Sequence, residues 1–278
     1  MQTVLIFAEL TIRETQRRKV LWLALVLALG FLAILSVGLY FIFQDLEQFG
    51  ADTDQKEVVL GVLFSAALYM VNFLVIVMAI LVSVTAVSSE IDSHTIETLV
   101  TKPARRWEII LGKWLGYAGI LTLYTLLLVG GLMLLYRWQT GLAINNSAAG
   151  LGLLLLQGLM ILSLTLLGGT RLSTLANGVL AFMMVGIAFI GGWVEQIGSM
   201  LQNETAVDIG IVTSLIMPTE ILWRQALALL QPRITSSTFT AGPFVVLSQP
   251  SDLMIGYAVA YTAVLLLLSL VAFSRRDL

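Results

Sequence analysis

The chain predicts an all-α, polytopic membrane protein with six transmembrane helices, and three observations lead there. Of its 278 residues, 58% are hydrophobic and only 12% charged, against ~25% charged for an ordinary soluble domain. Uncharged runs recur along the sequence, each near the roughly 20 apolar residues needed to cross hydrocarbon. Lys and Arg gather in alternate segments between those runs, as the positive-inside rule requires. Cysteine is absent, which excludes disulfides, thiol chemistry and thiolate metal sites.

Residues 2–19 read as an amphipathic helix preceding the first span. Leu5, Ala8, Ile12 and Thr15 recur on one side, while Glu9 with Arg13 and Glu14 with Arg18 stand four apart on the other. Such a helix either lies in the headgroup plane and contacts a partner, or is an ordinary basic flank ending at Arg17, Arg18 and Lys19. The charged region is too long, and the apolar run behind it too extended, for a cleaved signal, so the first hydrophobic segment is expected to persist.

Span 1 runs from about Val20 to Phe43 and leads to an acidic loop carrying Asp45, Glu47, Asp52, Asp54 and Glu57. Span 2 lies within Val58–Val87, longer than the bilayer requires, with Asn72 as its one strongly polar side chain. That asparagine either lines a pathway or bonds to a neighbouring helix. Span 3 runs from about Trp114 to Tyr136, and its Gly116, Gly119, Gly130 and Gly131 suit close helix approach. After the loop 137–149, span 4 covers Gly150–Gly169, a tight turn follows, and span 5 covers about Ser173–Trp193.

The region 194–253 differs in kind, with four of the five prolines and two candidate short helices, Glu195–Gln202 and Pro218–Leu230. The second opens on a proline with Glu220 in its first turn. Trp223, an interfacial residue type, predicts that it lies along the membrane surface. Span 6 is Met254–Phe273.

Charge arithmetic orients these spans. With the N-terminus inside, eleven Lys and Arg fall on the cytoplasmic side and four outside, giving nets of +4 and −6 that sum to the formal −2. Both termini are therefore expected in the cytoplasm.

The chemistry is narrow. No GxxxxGK[ST] run is present to cradle ATP phosphates, nor HExxH, nor GxSxG. No catalytic, cofactor-binding or metal-ligating set is expected. His94 is the sole histidine, and beside Glu90, Asp92 and Glu97 it reads as a solvated residue rather than a metal ligand. The span cores carry no ionisable residue, which weighs against an ion-coupled transporter.

Residues 88–113 hold eight charged residues in 26 positions between two uncharged runs. The stretch reads as helix, break, helix. Lys102 and Pro103 end the first part, and Arg105 and Arg106 introduce a second helix that enters span 3. It is either a solvated loop or a contact for a cytoplasmic partner.

The order Glu90, Thr95, Leu99, Pro103, Arg106, Gly112 and Lys113 resembles the E, GT, L, P, sR, lGK pattern after the second span of ABC type-2 (ABC-2) transporter permeases. Residues 1–19, with Glu9, Arg13, Arg17, Arg18 and Lys19, are similar to that family's elbow helix, and the ending FSRRDL to its F-x-RRDL terminus. The departure from the pattern is His94, where the family has glycine. Within the family, MPTEILWR is similar to the NPTD-type segment of NosY-like permeases.

The resemblance implies one permease domain over 1–278, with an elbow helix at 1–19, a cytoplasmic coupling region at 88–113 and an extracytoplasmic region at 194–253. It also implies a multi-pass subunit of an ATP-driven exporter in a bacterial plasma (inner) membrane, without its own ATPase site. ATP and Mg would be bound by a separate cytoplasmic ATPase dimer, and a second copy or a sister permease would complete the pathway. Membrane lipid is a further partner, as is, for NosY-like members, a periplasmic or extracellular protein; nucleic acid is not. The competing expectation is a polytopic anchor or assembly factor that gathers other proteins without moving a substrate.

Overall fold

A computed structural model describes residues 2–86, 105–141, 147–231 and 251–275. Among them every regular element is an α-helix: α1 (Gln2–Arg17), α2 (Lys19–Gln48), α3 (Thr53–Ser83), α4 (Arg106–Thr140), α5 (Ser147–Gly169), α6 (Thr174–Met200), α7 (Glu204–Ile216), α8 (Thr219–Leu230) and α9 (Asp252–Ser274). Six of these, α2 to α6 and α9, are long and apolar enough to cross a membrane. They match the six expected spans, and the chain is an all-α polytopic membrane protein.

The helices overrun the hydrophobic stretches that announce them. Helix α2 continues through the acidic residues to Gln48, so the turn to α3 is short. The Asp52 carboxylate caps α3 by accepting from the Gln55 N–H at 2.8 Å. Helix α4 begins at Arg106, a full two turns before Trp114, and ends where Gly141 adopts a φ of 71°.

Helices α3 and α5 are the most buried spans and α2 the least, so α3 and α5 form the centre on which the others lean. Polar ties cross the bundle where side chains meet. Ser83 of α3 shares a hydrogen bond with Thr165 of α5 at 2.5 Å, and the Trp114 indole of α4 donates to Ser163 of α5 at 3.0 Å. Tyr124 and Tyr136 of α4 donate to the carbonyls of Ala24 and Leu60 at 3.3 and 3.4 Å, reaching α2 and α3. In lipid each such bond is worth only about 0.6 kcal/mol, because the separated helices also find partners. Asn72 is buried on α3, and its Oδ1 has no hydrogen-bond partner among the described residues.

The region after span 5 departs from the sequence expectation. Glu195–Gln202 is not a separate helix, because α6 runs on through Met200. A helix not anticipated, α7, follows, its N-terminus capped by Asn203, whose side-chain oxygen accepts from the Ala206 N–H at 3.2 Å. The chain then turns through 102° between α7 and α8. Helix α8 forms where expected but does not present Trp223 to an interface. Trp223 is 0% exposed and packs edge-on against Tyr69 of α3 with ring centroids 4.7 Å apart. An amphipathic pattern identifies the face that avoids water and is silent on what covers it, and here the cover is mainly α5, with α6, α9 and α3 completing it.

Candidate coupling site

Helix α1 is built to lie on α4. Its buried residues are Val4, Phe7, Ala8, Thr11 and Thr15, a face rotated from the expected Leu5, Ala8, Ile12 and Thr15 series. Leu5, Ile6 and Leu10 are exposed instead. The helix is apolar on more than one side, so periodicity alone does not select the buried stripe. The contact on α4 selects it.

A Cβ built on Gly112 would stand 2.5 Å from Phe7 Cβ and 2.7 Å from the Val4 carbonyl, and one on Gly116 would stand 2.8 Å from the Ala8 carbonyl. Only a residue without Cβ lets the two backbones come this close. Gly112, singled out in the coupling pattern, is thus a seat for α1.

Arg18 is the single extended residue between α1 and α2, with φ −81° and ψ 129°. Its guanidinium bonds to Glu14 in the last turn of α1 and to the Thr85 hydroxyl just beyond α3. From the other side Lys113, buried in α4, donates its Nζ to the Ala86 carbonyl at 2.6 Å. Residues 85 and 86 are therefore held from two directions, by a cation at the α1–α2 corner and by a cation in α4. A buried ammonium close to a carbonyl and cut off from water holds more firmly than the same contact in solvent.

The remaining predicted residues divide. Arg106 is half-buried in the first turn of α4. Beside it, the Glu108 carboxylate accepts from the Arg105 N–H at 3.0 Å and fixes the helix start. Glu9 and Arg13 pair at 2.5 Å on the exposed side of α1, and Arg17 and Lys19 are exposed. Glu90, Thr95, Leu99 and Pro103 lie outside the described residues.

At the Met200 end of α6 sits a constellation that the sequence reading missed. Arg224 of α8 donates Nη1 and Nη2 to the two Glu195 carboxylate oxygens of α6 at 2.9 and 2.7 Å, a fork-to-fork pair. Arg224 is 2% exposed, Glu195 8% and the neighbouring Glu220 5%. Glu220 lies over Gly192, where a Cβ would stand 3.0 Å from its Oε1, and Thr213 of α7 occupies the space above Gly191. Burial pushes the Glu220 carboxyl up to about 8; the Arg224 charge opposes that and the Glu195 charge adds to it.

The bend between α7 and α8 is finished by α9. Tyr257 and Tyr261 donate to the last carbonyls of α7, those of Leu215 and Ile216, at 2.6 and 2.8 Å. These are acceptors that a helix end leaves open. The one sequence signal for the charge cluster is the four-residue spacing of Glu220 and Arg224, and it points to the wrong partner.

The family model described as ABC-2 family transporter protein matches residues 6–278, nearly the whole chain. Among curated proteins, none matches.

Proposed function

Because the chain belongs to the ABC-2 family of transporter proteins and is a membrane permease subunit of an ABC transporter, we propose that it works in an ATP-driven exporter whose ATPase is a separate cytoplasmic polypeptide. ATP and Mg act in that partner. A pair of ATPase subunits closes on nucleotide and pushes on this chain at α1 and at the stretch 88–113. Two permease subunits, identical or sister, flank the pathway in a bacterial plasma membrane with both termini inside.

The observation that carries this reading is the double hold on residues 85 and 86 by Arg18 and Lys113. A push delivered through the polar stretch that begins at residue 88 arrives first at those residues. From there it passes through Lys113 to α4, through Arg18 to the α1–α2 corner, and through α3 to the bundle centre. Each route is a contiguous rigid element, which efficient mechanical coupling requires.

Purification in mild detergent and identification of co-purifying proteins tests the partner; a P-loop ATPase is the expected companion. With the reconstituted complex, Glu90→Ala or Arg106→Ala lowers substrate-stimulated ATPase activity while membrane insertion is retained. Unchanged coupling in both variants removes the role assigned to 88–113. Accumulation of substrate in inverted, ATP-supplied vesicles reads the exporter direction.

A further inference from the structure

Helices α2 and α4 leave a continuous groove between them. Its lower part is a 600 Å³ trough walled by Leu32, Ala33, Gly131, Leu134 and Leu135. It opens at Trp138 into a 490 Å³ upper part lined by Tyr40, Phe43, Gln44, Glu47 and Gln139, with Trp138 common to both. Measured along α2 from Leu32 to Glu47, the groove is about 22 Å long at a helical rise of ~1.5 Å per residue.

The two ends differ in chemistry. The trough offers methyl and methylene groups and the Ser36 side chain, and that hydroxyl is already engaged by Gln139. The Gln139 amide nitrogen donates to the Ser36 hydroxyl at 2.8 Å and to its carbonyl at 3.2 Å. That leaves Gln139 Oε1 as a buried acceptor with no partner among the described residues. Glu47 is exposed at the mouth and forms no ion pair among the described residues. Three aromatic rings, of Tyr40, Phe43 and Trp138, line the same mouth, and among the described residues no Lys or Arg lines it.

Aromatic faces with a nearby carboxylate are the combination that attracts an ammonium ion, because ring quadrupole and carboxylate both present negative charge to it. We infer that the groove between α2 and α4 binds a long-chain amphiphile with a cationic ammonium head, its chain in the Leu32–Leu135 trough and its head among Tyr40, Phe43, Trp138 and Glu47. The charge at the mouth selects against an anionic head. It also disfavours a zwitterionic phospholipid, whose phosphate would be brought towards the Glu47 carboxylate. The head is oriented by the rings of Tyr40, Phe43 and Trp138 and by the Glu47 carboxylate. Occupancy of this groove does not depend on any ATPase partner, so it is separable from the coupling reading.

The test uses the full chain in phosphatidylcholine nanodiscs and a tetradecyltrimethylammonium probe carrying a diazirine near the chain end. A probe of the same chain ending in an alcohol is the comparison. Cross-linking followed by peptide mapping is expected to place the cationic probe on 32–36 and 131–135. Glu47→Gln should lower that labelling about tenfold and leave the alcohol probe unchanged, whereas Trp138→Ala, which removes a wall of both parts, should lower labelling by both probes. Because Glu47 is exposed and unpaired, E47Q leaves the fold intact and keeps the comparison interpretable. Equal labelling by the two probes, or no effect of E47Q, overturns the assignment. So does disulfide formation between copies carrying cysteine at Ala33, since a second copy would then cover the trough.

Discussion

The two ends of this bundle close by opposite means. Where α1, α4 and the end of α3 meet, the ties are single cations reaching a hydroxyl or a backbone carbonyl, Arg18 to Thr85 and Lys113 to Ala86. Where α6, α7, α8 and α9 meet, the tie is a buried guanidinium forked onto a carboxylate, with a second carboxylate alongside. Both ends rely on glycine to bring helices together, Gly112 and Gly116 in one place and Gly191 and Gly192 in the other. The difference lies in what happens when a partner is removed. A hydroxyl or carbonyl left behind by its cation carries no net charge, whereas a carboxylate left behind among buried side chains does.

The largest effect should therefore fall on the α6–α8 end. Arg224→Leu removes the guanidinium from the buried Glu195 carboxylate, and breaking a buried ion pair in this way costs about 3 to 5 kcal/mol. Thermal unfolding in detergent reads that loss. The double variant Glu195→Leu with Arg224→Leu should recover most of it, since no buried charge then remains. If the double variant is as unstable as Arg224→Leu alone, the pair is not what makes this end rigid.

A smaller and pH-dependent effect follows from Glu220. The groups facing it are Arg224 on its own helix, Glu195 on α6 and Tyr69 on α3. The folded chain favours its neutral form, so its contribution is whole below the ordinary value of 4.5 and is lost as pH rises through about 8. Melting temperature should fall between pH 5 and pH 9, and Glu220→Gln should flatten that dependence. A profile that stays the same in Glu220→Gln would assign the titration to another group.

The smallest effect belongs to the opposite end. Glu9 and Arg13 pair on the surface of α1 with side chains 62% and 70% exposed. An exposed pair at this spacing contributes ~0.3 to 0.5 kcal/mol at most. Arg13→Ala should leave the melting curve within error of the parent. A clear destabilisation would show that α1 is held by more than its Gly112 and Gly116 seats.

Much of the architecture was legible because lipid imposes long uncharged helices, and six runs announce six spans. Gly112 and Lys113 stood out as a pattern, though their packing roles became visible only in three dimensions. The buried face of α1 was misread because Leu5, Ile6 and Leu10 are as apolar as the residues that pack, and glycines a hundred positions away decide between them. Helix α7 was missed although Asn203 and Glu204 form a recognisable helix start. The charge cluster was hidden for a different reason. Glu195 and Arg224 are 29 residues apart, and each taken locally resembles a surface charge.

The Lys113 contact also bears on how such a chain changes over generations. Its acceptor is the carbonyl of residue 86, which every amino acid possesses. Drift at position 86 therefore cannot delete the acceptor, and neither can exchange of the side chains that follow it. The constraint in this contact falls on its donor, which makes Lys113 the residue to hold fixed when position 86 is varied.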